Sequence, residues 1–123
     1  MGDTELLEML ATETERRAPA VIEGVKGLAE SGERDPDRIE ELRVEIHGLK
    51  GAALVVGQSR LAELAREIEV ALVQRIAPGT IPADLATDVA DAAAALNEGA
   101  AAAAREESEP PAVASSLAAL AES

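Results

Sequence analysis

The chain lacks cysteine, tryptophan, tyrosine and phenylalanine, and has a single histidine in 123 residues. Without cysteine there is no disulfide framework, no zinc–thiolate cluster, no thiol nucleophile and no CxxC redox pair. Without aromatic rings there is no platform on which unpaired bases could stack. A Ser-His-Asp relay would have to run through His47. Positive charge is scarce too: 11 Lys and Arg stand against 24 Asp and Glu, a formal charge of −13. Such a chain repels a phosphate backbone and is poorly suited to an anionic membrane surface, so nucleic acid is not an expected partner. No run of about 18 strongly apolar residues occurs, so no membrane insertion is expected. Met1-Gly2-Asp3-Thr4 has no basic segment followed by an apolar one, and Gly2 lacks the downstream Ser or Thr of a myristoylation signal. The expected location is the cytoplasm.

What the chain does have is alanine. Apolar residues make up 47%, but alanine buries little surface at about 25 cal/mol per Å². The core must rest on a limited set of Leu, Ile and Val. Alanine is the best helix former, and the aromatic strand formers are missing, so the fold is expected to be all-α. The length fits one domain.

Proline and glycine punctuate the sequence. Residues 4–17 carry Leu6, Leu7 and Leu10; Pro19 then either starts or kinks a second stretch, 20–30, with Val21, Ile22, Val25 and Leu28 at helical spacing. Residues 31–35 read as a loop. Asp35-Pro36 reads as an N-cap followed by proline at the first helical position. Ile39, Leu42, Ile46, Leu49, Ala53 and Val56 then form an apolar seam, which Gly57 ends as a C-terminal cap. Ser59 is a candidate cap for a helix carrying Leu61, Leu64, Ile68 and Leu72. Thr80 and Pro82 open another, with Leu85, Val89, Ala92 and Leu96. The alanine tract 100–104 reads either as a weakly packed helix end or as partly disordered. Residues 106–123 form a charged, proline-bearing linker and a short Val113, Leu117, Leu120 pattern. The expected architecture is an up-down four-helix bundle over residues 4–105, with an additional N-terminal helical segment and a short C-terminal helix.

The chemistry-bearing stretch is His47-Gly48-Leu49-Lys50-Gly51-Ala52-Ala53. Ile46 and Leu49 point inward, so His47 projects toward the bundle edge or solvent. Lys50 lies at i+3 and Gly51 at i+4, one turn away on the same face. Gly48 and Gly51 each cost a helix about 1 kcal/mol relative to alanine. Two such glycines imply either close helix packing or room for a docking partner. A lysine beside the ring suits a phosphoryl group carried on it. A metal site is not expected: a di-iron bundle needs Glu-x-x-His on two helices, yet position 44 is Val and there is one histidine. A GxxxxGK[ST] phosphate loop is absent, so ATP binding by this chain is not expected.

These seven residues, with Gly57 ten positions beyond the histidine and Leu61, Leu64 and Ile68 following, resemble the histidine-containing phosphotransfer (HPt) domain. Glu69, 22 residues after His47, extends the resemblance to the N-terminal phosphotransfer domain of CheA-type chemotaxis kinases, where a glutamate at this offset hydrogen-bonds the phosphoaccepting imidazole. Three positions depart from that pattern: Arg66 stands where a second histidine is frequent, Val56 where an aromatic residue often precedes the glycine, and Gly48 where serine is common.

The resemblance implies that His47 Nε2 accepts a phosphoryl group from a histidine kinase catalytic domain and passes it to an aspartate of a response-regulator receiver domain. Lys50 would offset the phosphoryl charge and Glu69 would orient the ring. Gly48, Gly51 and Leu54 would form the docking surface, with Ala53 adding apolar contact. The domain would be monomeric, with no cofactor of its own; ATP and Mg²⁺ would come from the kinase and receiver. The chain would be either a piece of a CheA-type protein-histidine kinase or a free-standing relay protein. A helical adaptor that is never phosphorylated is the alternative from another class.

Overall fold

A computed structural model describes residues 3–122; Met1, Gly2 and Ser123 lie outside it, and with them the reading of the N-terminal Met1-Gly2 pair. The described residues form five helices: α1 (Asp3–Ser31), α2 (Pro36–Val55), α3 (Ser59–Ile76), α4 (Ala83–Ala104) and α5 (Pro111–Ala121). There is no strand among the described residues. In the bundle, α1 packs on α2 and α4, α3 packs on α2 and α4, and α5 lies against α3 and α4.

The connections fix the up-down order. Asp35 N–H donates to Gly79 O at 2.7 Å, joining the α1–α2 and α3–α4 links at one end. At the other end Arg60, at the start of α3, reaches Glu109 before α5 at 3.2 Å. Between α2 and α3 the chain reverses in three residues. Gly57 has φ +74°, and Gly57 and Gln58 donate to the carbonyls of Leu54 and Ala53 at 3.1 and 2.9 Å. This is the Schellman pattern, and glycine supplies the left-handed residue it requires.

The seam on α2 goes inside as its spacing implies. Ile39, Leu42, Ile46, Leu49 and Ala53 are buried, and Val56 is half-buried. Leu61, Leu64, Ile68 and Leu72 of α3 are buried with them. Asp35 caps α2, its Oδ1 accepting from Arg38 N–H at 3.0 Å. Each fully buried Leu or Ile contributes about 1.5–3 kcal/mol, so this aliphatic set supports the core without any aromatic ring.

Three local details differ from the expectations, and a fourth, the alanine tract, takes the helical one of its two readings. The N-terminal segment runs through Pro19 into the second stretch as one helix, with Leu10, Thr14, Ala18, Val21, Val25 and Leu28 buried in a stripe. Leu6 and Leu7 are only half-buried. Pro19 is exposed, so the Glu15 carbonyl it leaves unbonded can face solvent. Ser59 is the first helical residue rather than the cap; Gln58 occupies that position and its side chain makes no capping bond. Likewise α4 starts after an extended Pro82, with Thr80 outside the helix. The alanine tract is helical to Ala104, with Ala100 and Ala102 buried.

Small residues on α4 have a packing purpose. A Cβ on Gly99 would stand 2.5 Å from Leu61 Cδ2 and 3.3 Å from Val113 Cγ2. The missing side chain thus leaves a slot where α3 and α5 meet α4. Val113, Ser116 and Leu120 of α5 are buried there, and Leu117 is half-buried. No helix among the described residues is long and apolar enough to cross a membrane.

Leu96 on α4 is 1% exposed. Leu96→Ala should lower unfolding free energy by about 2–5 kcal/mol, read from urea titrations followed by far-ultraviolet circular dichroism. A loss below about 0.5 kcal/mol would show that α4 is not packed as described.

Candidate functional site

The site lies on the paired faces of α2 and α3. His47 stands next to the buried seam, and its side chain is 60% exposed. Its Nδ1 lies 2.9 Å from Glu69 Oε2 on α3. Glu69 itself is 12% exposed at the side chain and accepts two further bonds from α2. Arg43 Nη1 donates to the same Oε2 at 2.8 Å, and Lys50 Nζ donates to Oε1 at 2.8 Å. Residues 43, 47 and 50 form one stripe at i, i+4 and i+7, so a single helix face meets the carboxylate with three donors.

Burial alone would raise the Glu69 pKa. The hydrogen bonds from Lys50, His47 and Arg43 outweigh it and hold the group below its ordinary 4.5. A carboxylate only accepts, so the proton it shares with His47 sits on Nδ1. The Nε2 lone pair is then free. The ring is thereby held in one tautomer, with most of its side chain open to solvent.

Arg43 was not among the residues singled out from sequence, although its position four residues before His47 on the same face is a readable signal. Its guanidinium is gripped from both sides. Nε and Nη2 bond Glu40 at 2.8 and 2.7 Å while Nη1 bonds Glu69. The bond to Glu40 raises the Arg43 pKa, burial opposes this, and the bond to Glu69 adds to the rise.

The Lys50 ammonium rests on Glu69 Oε1 rather than standing free beside the imidazole. Glu69 is where the offset from His47 implies. The two glycines differ. Gly51 has open space where a Cβ would be. Over Gly48, by contrast, lies Arg17 of α1: a Cβ there would stand 2.5 Å from Arg17 Nη1. Arg17 also reaches Glu13 at 3.0 Å and Glu45 at 3.4 Å. The backbone at Gly48 is therefore partly covered by the protein's own guanidinium. Leu54 is 59% exposed beyond Gly51, with Val55 beside it also exposed. Ala53 is fully buried, so it belongs to the core and has no surface to offer a partner. Arg66 bonds its neighbour Glu67 at 3.0 Å. Among the described residues, no group of three or more His, Cys, Asp or Glu side chains is arranged to hold a metal ion.

The family model of the Hpt domain matches residues 5–123. The chain belongs to that family, whose members carry out histidine phosphotransfer in two-component signalling and interact with kinases and response regulators. No curated protein and no solved structure matches the chain.

Because the folded Glu69 carboxyl titrates below its ordinary value, its contribution to stability is complete above 4.5 and is lost as pH falls through the folded value. Glu69→Gln should therefore flatten the stability loss that sets in as pH falls below 4.5. Urea midpoints across that fall in pH check this; an unchanged slope would mean that the carboxylate is not held by the three donors.

Proposed function

We propose that His47 is the phosphoacceptor, taking a phosphoryl group from the catalytic domain of a CheA-type kinase and giving it to a receiver aspartate. The observation that carries this reading is the 2.9 Å contact between Nδ1 and Glu69 on an imidazole that is otherwise exposed. Nε2 attacks the γ-phosphorus of ATP; the N–P bond forms as the bond to the ADP oxygen breaks. Nδ1 keeps its proton throughout, and the positive charge developing on the ring faces the Glu69 carboxylate. In the second step a receiver carboxylate oxygen attacks phosphorus, and the N–P electron pair returns to Nε2.

ATP and Mg²⁺ are supplied by the partners, which leaves this chain two tasks: holding the ring and offering a surface. Lys50 neutralises phosphoryl charge by leaving Glu69 Oε1 for the phosphoryl oxygens. Gly51 and Leu54 form the open part of the docking surface, and Gly48 admits Arg17 beside it. The domain acts as a monomer.

A free-standing relay protein is the second reading. Arg66 favours it, since that residue bonds Glu67 instead of adding a second imidazole to the site. ATP-binding and dimerisation domains encoded in the same gene would decide for the kinase.

Incubation with a CheA-type kinase core and ATP should yield an acid-labile, base-stable phosphoryl group on the wild type and none on His47→Gln. Equal labelling of the two proteins would overturn the assignment of His47, and a correctly folded wild type that no kinase labels would point to the adaptor. Gly51→Leu should still label, but transfer to the receiver should slow on the order of tenfold, a loss of about 1.4 kcal/mol in the docked complex. Transfer at the wild-type rate would remove Gly51 from the docking surface.

A further inference from the structure

Two cations share the Glu69 carboxylate, and they are not equivalent. Lys50 bonds Oε1 of Glu69 from the end of a flexible stem. Arg43 makes three bonds with a planar fork, two to Glu40 and one to Oε2. Its side chain is only 24% exposed. Oε2 is also the atom that faces His47 Nδ1. With two donors on it, both lone pairs of that oxygen are engaged and its direction is set. The oxygen that holds the ring is thus held by Arg43, and Arg43 is held by Glu40.

We propose that Arg43 is a positioning residue for phosphoryl transfer, keeping Glu69 Oε2 aimed at His47 Nδ1 while Lys50 is released to the phosphoryl group. This rests on the reading of His47 as the phosphoacceptor. It gives the two cations separate tasks. If Lys50 alone anchored Glu69, its departure would leave a nearly buried carboxylate held only by the ring that it has to orient, a costly arrangement. With Arg43 in place the carboxylate stays paired through both steps. Arg43 does not touch the reacting atoms and acts only through Glu69.

The single histidine makes the test direct, because ¹⁵N spectra of the ring report on one residue. In the unphosphorylated wild type the neutral ring should be predominantly the Nδ1–H tautomer. In Arg43→Gln it should become a mixture of tautomers, and the rate of labelling by kinase and ATP should fall on the order of tenfold. Arg43→Lys, which restores the charge, should recover most of both. Circular dichroism verifies that the helices remain. The proposal is overturned if Arg43→Gln keeps the wild-type tautomer, whatever its labelling rate, or if its labelling rate is unchanged. The ring spectra require no phosphorylation, so failure of His47 as the phosphoacceptor would be seen separately, in the labelling of His47→Gln.

Discussion

Everything at this site depends on one nearly buried carboxylate. Glu69 has lost most of its water, and an ionised group in that position must be paired or become neutral. The pairing comes entirely from α2, through Arg43, His47 and Lys50. The register of α2 on α3 is therefore an electrostatic matter as well as one of packing. Sliding either helix by one residue would turn the donors away and bury an unpaired charge.

Hydrophobic packing holds that register. Ile46 and Leu49 flank His47 on the inner side of α2, and Ile68 precedes Glu69 on α3; all three are essentially inaccessible. The Gly57 turn fixes the distance along the chain between the two helices. The imidazole thus projects from a rigid two-helix platform, with its own freedom reduced to one hydrogen bond. An exposed side chain on such a platform needs no pocket. A family of phosphoryl carriers, to which this chain belongs, must present the same ring to different partners, and an open site serves that end.

The glycines around the ring show how similar residues acquire different settings. Gly48 and Gly51 lie three residues apart on one helix, and each exacts the usual cost in helix stability. At Gly48 the bare backbone is occupied by Arg17 from α1; at Gly51 it stays open beside exposed Leu54. The contrast comes from α1 packing along one side of α2 only. A chain with a large negative charge nevertheless brings Arg17, Arg43 and Lys50 to the neighbourhood of its one histidine, and each is matched with glutamate.

Helix periodicity is a property of the local chain, and much of the fold was legible from it. The seam from Ile39 to Ala53, the Asp35-Pro36 start and the Gly57 stop are all as their sequence patterns imply. Leu61, Leu64, Ile68 and Leu72 are buried as their stripe requires. The helix through Pro19 was not legible, because local chemistry disfavours it and only burial of Leu10, Thr14 and Ala18 against the bundle compensates. At the site, the type and spacing of His47, Lys50 and Glu69 singled the three out, and the structure brings them together on one carboxylate. Sequence by itself determined which side chains were available, and which of them shared a helix face. Tertiary structure decided that Lys50 rests on Glu69, that Arg43 grips the same oxygen as the ring, and that Arg17 covers Gly48. Those contacts join residues on different helices, so they exist only once hydrophobic packing has set how far apart, and in what register, the helices lie.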